Sequence, residues 1–383
     1  MKVIYYIAWN EIGGGTRHLA SLMTNLKPEF DSVVVCCSAV ADEYKEFFLK
    51  AGFLPEQMVF IPRWQKWLIV PLAWTLAGLF RRIDPNIVHS FGIQADMFCG
   101  LAGLFRNRQV FMSYFESQPL TPNTGWIKNN FYSLMNKMIG HRFTRSIAVS
   151  EGIKREIIDC GLRRMNEIEV VHLGLEEKKY VPADQDFKGL KQRAPVIGTV
   201  TRFSHEKRLE RLLYAIPYVL RQCPCAQFVL VGQGVEEIAL KQLAKRLDIE
   251  QSVEFKSWVK DPYESIRAFD IYVMPSEREG CPNALLEAMM MARPVVASNI
   301  PGIDEIVRNG QDGILVNTAD PQMFAEALIK LCQDPQKSIK MGQQGRQRVL
   351  ENFLIGKEIK KLKEIYTASV GQQTSGAVFQ GLL

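Results

Sequence analysis

Two carboxylates, Glu279 and Glu287, stand eight residues apart in the stretch from Asp270 to Ser298, D-I-Y-V-M-P-S-E-R-E-G-C-P-N-A-L-L-E-A-M-M-M-A-R-P-V-V-A-S. The apolar run Ile271 to Met274, closed by Pro275 and Ser276, predicts a buried strand. Gly280 and Pro282 predict a loop, and Asn283 an N-cap for a helix over Ala284 to Met291. A strand-loop-helix aims backbone N–H groups and a positive helix end at whatever lies above the strand, which favours an anion. Glu279 and Glu287 would accept hydrogen bonds from hydroxyl groups on either side of it. A phosphate flanked by two polyols is a sugar nucleotide. On spacing alone the plainer reading stands: two acids eight apart are common, and a glutamate early in a helix serves its dipole.

Cationic residues follow another apolar run. Val196 to Val200 reads as a buried parallel strand, leading into Thr201-Arg202-Phe203-Ser204-His205-Glu206-Lys207-Arg208. Basic residues just past a strand's carboxyl end sit where an α/β sheet binds ligands. The planar fork of Arg202 and the point charge of Lys207 both suit a diphosphate, although charged loops are usually only solvated. Two glycine turns follow strands elsewhere: Gly13-Gly14-Gly15 after Val3 to Ala8, and Gly232-Gln233-Gly234 after Gln227 to Val231. Neither completes a dinucleotide fingerprint, because His18 and Glu237 occupy the third glycine's place, and no acid closes the strand ending Cys36-Cys37. A nicotinamide oxidoreductase is therefore the weaker reading of these paired repeats.

The string E-G-C-P-N-A-L-L-E-A-M, then P-V-V-A-S, Gly302 to Val307 and Gly313 to Val316, resembles the donor-binding half of retaining glycosyltransferases of family four. Their E-x7-E motif is matched by Glu279 and Glu287. The resemblance implies an α/β architecture of the GT-B type, two Rossmann-like, doubly wound domains facing across a cleft. It implies that Arg202 and Lys207 clamp the donor's diphosphate, that Glu279 meets the transferred sugar and that Glu287 holds the ribose. Backbone from Gly280, Cys281, Pro282, Asn283 and Ala284 would line the same donor site, with Gly14, Gly15 and Gly232. Trp258 and Val259 resemble the segment that reads the base. His89, ending Asp84-Pro85-Asn86-Ile87-Val88-His89, matches a histidine close to the donor sugar; a second, two places on, is Phe91 here. Family glycines are replaced by Thr201, Arg208, Ser257 and Ala292. No cofactor or metal is implied beyond the nucleotide-sugar donor.

The elements that must position these residues alternate along the chain. Strands are read at Asn86 to Phe91, Gln109 to Tyr114, Ser146 to Ser150 and Ile168 to His172; helices at Thr16 to Leu26, Asn129 to Ile139, Glu151 to Cys160, Pro321 to Leu331 and Lys337 to Leu350. Charged, aperiodic Glu176 to Gln192 predicts an interdomain linker. The expected division is an acceptor-side domain over 1–180, a donor domain over 193–352, and over 353–383 a helix (Leu354 to Tyr366) crossing back to the first domain, with a loosely ordered tail. At 383 residues, 47% apolar and 23% charged, the chain suits two globular domains. Its eight cysteines are scattered without a C-x-x-C pair, which reads as free thiols in a reducing cytoplasm. No secretory signal pattern is read at the start.

A net charge of +6 admits an anionic partner, and nothing selects nucleic acid. Trp67 to Phe80 is uncharged, with Trp64, Trp67 and Trp74 set among Arg63, Lys66, Arg81 and Arg82. Fourteen residues fall short of the about 20 that span a bilayer, so a core helix is expected. The alternative is a surface helix at an anionic membrane. The expectation from the whole chain is a cytoplasmic, metal-independent, retaining hexosyltransferase, with peripheral contact at the inner membrane face as a variant. Its acceptor would be a glycan or lipid-linked hydroxyl in surface polysaccharide or glycolipid synthesis. The rival is a catalytically silent protein that binds nucleotide sugars with the same fold.

Overall fold

The computed structural model describes residues 1–8, 12–37, 41–62, 69–104, 110–115, 126–177, 194–259 and 261–380, of which 37, 126–128 and 372–380 are described by backbone alone. The chain divides into two compact units, Met1–Leu173 with Ile355–Leu383, and Gly174–Leu354.

In the first unit strands alternate with helices: β1 Lys2–Ile7, α1 Gly14–Leu26, β2 Asp31–Cys37, α2 Ala41–Lys50, β3 Met58–Ile61 and α3 Ile69–Ile83. Then come β4 Ile87–Phe91, α4 Ile93–Gly103, β5 Val110–Phe115, α5 Trp126–Ile139, β6 Phe143–Ala148, α6 Glu151–Asp159 and β7 Ile168–Val170. The second unit holds β8 Val196–Val200, α7 Leu209–Gln222, β9 Gln227–Val231, α8 Glu237–Arg246, β10 Val253–Lys256 and α9 Tyr263–Arg267. It continues through β11 Ile271–Met274, α10 Asn283–Met290, β12 Val295–Ser298, α11 Ile303–Ile306, β13 Ile314–Val316, α12 Pro321–Gln333 and α13 Pro335–Asn352. The last helix, α14 Ile355–Gln380, belongs to the first unit.

Both sheets are parallel, ordered β3-β2-β1-β4-β5-β6-β7 and β10-β9-β8-β11-β12-β13. Parallel strands are covered on both faces, which is why β4, β5 and β11 are buried along their whole length rather than at alternate positions. Each order reverses once, between β1 and β4 and between β8 and β11. Such a reversal leaves a crevice at the carboxyl ends of the two strands, where open α/β sheets bind ligands.

The final helix is tied into the first unit by buried polar contacts. Glu358 accepts from Tyr114 Oη at 3.1 Å and pairs with His18 Nε2 at 2.9 Å, while Tyr366 Oη meets His89 Nδ1 at 2.6 Å. Phe30 stands edge-on to the Tyr366 ring. This helix continues to Gln380, past the Tyr366 end expected from sequence, so most of the supposed loose tail is helical. In α3 the uncharged run is amphipathic in practice: Leu72, Leu76, Ala77 and Phe80 enter the core, while Val70 and Trp74 face solvent. Arg63, Trp64, Lys66 and Trp67, and the expected linker beyond residue 177, lie outside the described residues.

Candidate functional site

The β8–β11 reversal brings together residues that are far apart in sequence. After β8, a single 3-10 turn, His205–Lys207, sends Lys207 toward the loop that follows β11. Lys207 Nζ donates to Glu279 Oε1 at 2.8 Å, across 72 residues, with the carboxylate almost wholly screened from solvent. Arg202 lies exposed on the same loop. A cation and a carboxylate are thus presented side by side at the crevice.

The Glu279 loop is shaped by close backbone approach. A Cβ on Gly302 would lie 2.3 Å from the carbonyl oxygen of Gly280 and 2.8 Å from that of Glu279, and Gly302 has φ +89. Only glycine fits there, so the turn before α11 buttresses the Glu279–Gly280 peptide. Gly280, Cys281 and Pro282 are buried, and α10 starts directly behind them. The expected cap is corrected here. Asn283 is the first residue of α10, and Pro282 stands at the cap, where its side chain makes no capping hydrogen bond. Leading N–H groups of a helix without a side-chain cap are open to an anion. Glu287 follows one turn later, 4% exposed, on the same helix.

The Gly232 turn has an equally tight role. A Cβ at Gly232 would lie 1.9 Å from Thr201 O, and one at Gly234 2.3 Å from Phe203 O. Phe203 N–H donates to Gln233 O at 2.9 Å, and Glu236 N–H donates to Phe203 O at 3.0 Å. The turn after β9 therefore moulds the Arg202 loop. Trp258 and Val259 follow the end of β10, and Trp258 is 38% exposed.

Two departures from family glycine fall where the backbone is left-handed. Arg208 has φ +49 and Ala292 φ +57. The left-handed region costs a residue with a Cβ about 1–2 kcal/mol, which explains the glycine preference and shows both substitutions are tolerated under strain.

In the first unit Gly14 and Gly15 form the first turn of α1, two residues earlier than the helix start expected from sequence. His89 is fully buried on β4; its Nδ1 is engaged by Tyr366, while its Nε2 is buried with no hydrogen-bond partner among the described residues. Burial pulls its pKa down to about 3, so the ring is neutral at physiological pH.

Profiles of two families match the chain: "Glycosyltransferase Family 4" over residues 12–179 and "Glycosyl transferases group 1" over 194–334. The chain belongs to glycosyltransferase family four. Among curated relatives, the capsular polysaccharide biosynthesis glycosyltransferase CapM of Staphylococcus aureus is 26% identical over 72% of this chain and 74% of its own. The UDP-Gal:alpha-D-GlcNAc-diphosphoundecaprenol alpha-1,3-galactosyltransferase of Escherichia coli is 29% identical over 52% of this chain and 54% of its own. The solved structure of Anabaena HepE in complex with UDP aligns with a TM-score of 0.83 at 19% identity, over 96% of this chain and all of its own. At that identity the likeness shows the fold, which is GT-B.

Beside the Lys207–Glu279 pair of this glycosyltransferase lies a second link between the same loops, which sequence reasoning missed. Glu277, two residues before Glu279, bonds Arg208 Nε at 2.8 Å and Nη2 at 2.7 Å, and its own N–H donates to Glu206 O at 2.9 Å. The αL position of Arg208 was its one local signal. Gly302 was legible only as part of a string.

Among the described residues no group of three or more His, Cys, Asp or Glu could hold a metal ion. Asp184 and Asp186, which have D-x-D spacing, lie outside the described residues. A half-open cavity of about 500 Å3 runs along the β8–β10 face beside α9, lined by Val196, Val229, Phe269 and others. None of the family-four site residues line it.

Proposed function

We propose that this glycosyltransferase moves a hexose from a nucleotide-diphosphate sugar to a hydroxyl of a glycan or lipid-linked acceptor, with retained anomeric configuration. The observation that carries the reading is the Lys207–Glu279 pair, a cation and a screened carboxylate held 2.8 Å apart where the strand order reverses. Lys207 and Arg202 neutralise the charge that grows on the diphosphate as the glycosyl bond breaks. Electrostatic stabilisation of this kind is usually the largest catalytic contribution. The leading amides of α10 add to it, Glu287 accepts from the ribose hydroxyls, and Glu279 accepts from the sugar. HepE has been solved with UDP and glucose, which supports a donor of this class.

The acceptor belongs to surface polysaccharide or glycolipid synthesis; CapM is named for capsular polysaccharide biosynthesis and the E. coli enzyme for a diphosphoundecaprenol-linked acceptor. We infer contact with an anionic bilayer as well. Helices α3 and α5, which both pack on α4, contain no acidic residue yet expose Val70, Trp74, Phe131, Leu134 and Met138, and Arg81, Arg82 and Lys137 are exposed on the same two helices. Apolar side chains among cations suit an anionic headgroup layer. No helix among the described residues is long and apolar enough to cross a membrane.

A thermal-shift panel of nucleotide sugars tests the donor reading, since a ligand at 100 times its dissociation constant adds about 2.7 kcal/mol of stability. Donor hydrolysis without acceptor then separates an enzyme from a silent binder. No shift with any nucleotide sugar would end the reading.

A further inference from the structure

In the proposed reaction both members of the Lys207–Glu279 pair turn to the donor, Lys207 to the diphosphate and Glu279 to the sugar. Their mutual bond is then weakened just when the two loops must stay aligned. Two other links join the same loops. One is the Glu277 N–H to Glu206 O bond at 2.9 Å. The other is Arg208, whose Nε and Nη2 both reach Glu277 Oε2, at 2.8 and 2.7 Å. Glu277 Oε1 faces Arg211 Nη2 at 4.0 Å, and Arg211 itself donates to Thr318 Oγ1 at 3.1 Å. The arginine bond holds Glu277 below the usual carboxylate range, so the pair is charged at neutral pH.

We propose that Arg208 and Glu277 form a strap, which keeps the Lys207 and Glu279 loops in register while those two residues exchange each other for the donor. They are positioning residues and touch no substrate. The inference rests on the donor reading above.

Two features separate this from an ordinary surface ion pair. Arg208 holds a left-handed backbone that glycine would adopt without strain. Such outliers persist where the surroundings over-determine them, and they gather at functional sites. Second, the pair is partly exposed, 23% for Arg208 and 43% for Glu277, so its direct contribution to stability is small. A structural role and a positioning role therefore predict opposite outcomes for one variant.

The test is Arg208→Gly, with Glu277→Gln, Arg208→Lys and the swap Arg208→Glu/Glu277→Arg, assayed for melting temperature, nucleoside-diphosphate affinity, kcat and KM. The strap predicts that Arg208→Gly melts at or above the wild-type temperature and binds free nucleotide within about 2-fold of wild type. Its kcat falls about 10-fold, and Glu277→Gln matches it, because misaligned clamps act in the transition state. Arg208→Lys and the swap recover part of kcat. Wild-type kcat in Arg208→Gly overturns the strap, as does a loss of kcat fully explained by a lowered melting temperature. Lys207→Ala is the control. If Lys207→Ala also turns over normally, the donor reading itself fails; if it is impaired and Arg208→Gly is not, only the strap fails.

Discussion

Lys207 and Glu279 hold each other at 2.8 Å, although one follows β8 and the other follows β11. On the proposed donor reading, the diphosphate competes with the Glu279 carboxylate for the same ammonium. Replacing Lys207 by alanine then leaves that diphosphate without its counter-charge, and it leaves the screened carboxylate without its partner. Turnover is expected to drop by about 10² or more with the fold retained. Steady-state kinetics beside a melting curve checks it, and normal turnover removes Lys207 from the mechanism.

The two glutamates separate by ligand. Glu287→Gln weakens free nucleoside diphosphate and sugar nucleotide alike, by about 1–2 kcal/mol, because a neutral amide accepts ribose hydroxyls less well. Glu279→Gln spares the free nucleotide and weakens only the sugar-bearing donor. Calorimetry with both ligands decides, and equal losses in both variants contradict the assignment.

Glycine geometry predicts two opposite effects on stability. At Gly302→Ala the new Cβ meets the Gly280 carbonyl at 2.3 Å on a left-handed backbone, so the Glu279 loop shifts, melting temperature falls and donor affinity falls with it. Ala292→Gly removes left-handed strain and raises stability by about 1 kcal/mol, read by denaturant titration. A destabilised Ala292→Gly would show that the αL position carries no strain.

The buried His89 sets a pH dependence. Its folded pKa is lowered from 6.5 to about 3 by burial, so below pH 6.5 the unfolded chain takes up a proton that the folded chain refuses. The stability His89 contributes is complete above pH 6.5 and is lost toward pH 3, by about 1.4 kcal/mol per unit. Asp96, which burial pushes up to about 7, acts with the opposite sign across part of that window. The measurement is therefore the difference between wild type and His89→Asn, in which Asp96 cancels. Parallel pH curves for the two proteins contradict a neutral, buried His89.

Exposed Trp74 and Met138, 66% and 62% accessible, lie on the two acid-free helices. The protein should sediment with anionic vesicles at low salt, stay in solution with neutral ones, and be released as salt rises. Trp74→Ser with Met138→Ser should abolish sedimentation without lowering the melting temperature. Retention of that double variant rules out these two side chains as the contact.

Short-range chemistry was readable in the sequence because it depends on period and on special residues. The run Ile271–Met274 gave β11 to the residue, since a strand buried on both faces must be continuously apolar. Glu279 and Glu287 lie on one strand-loop-helix, so their spacing fixes their separation. The left-handed backbone at Arg208 and Ala292 coincides with positions where the resembled family has glycine. What lay beyond the sequence is every relation set by strand order. Nothing local places β8 beside β11, the contact that brings Lys207 to Glu279 and Arg208 to Glu277. Gly302 matters because its backbone meets Gly280, and its neighbours in sequence do not reveal that approach. His89 looked like a polar strand tip until Tyr366, 277 residues later, closed over it. Backbone propensity and apolar period act within a few residues; burial and ion pairing depend on which distant segments share a core, and only packing decides that.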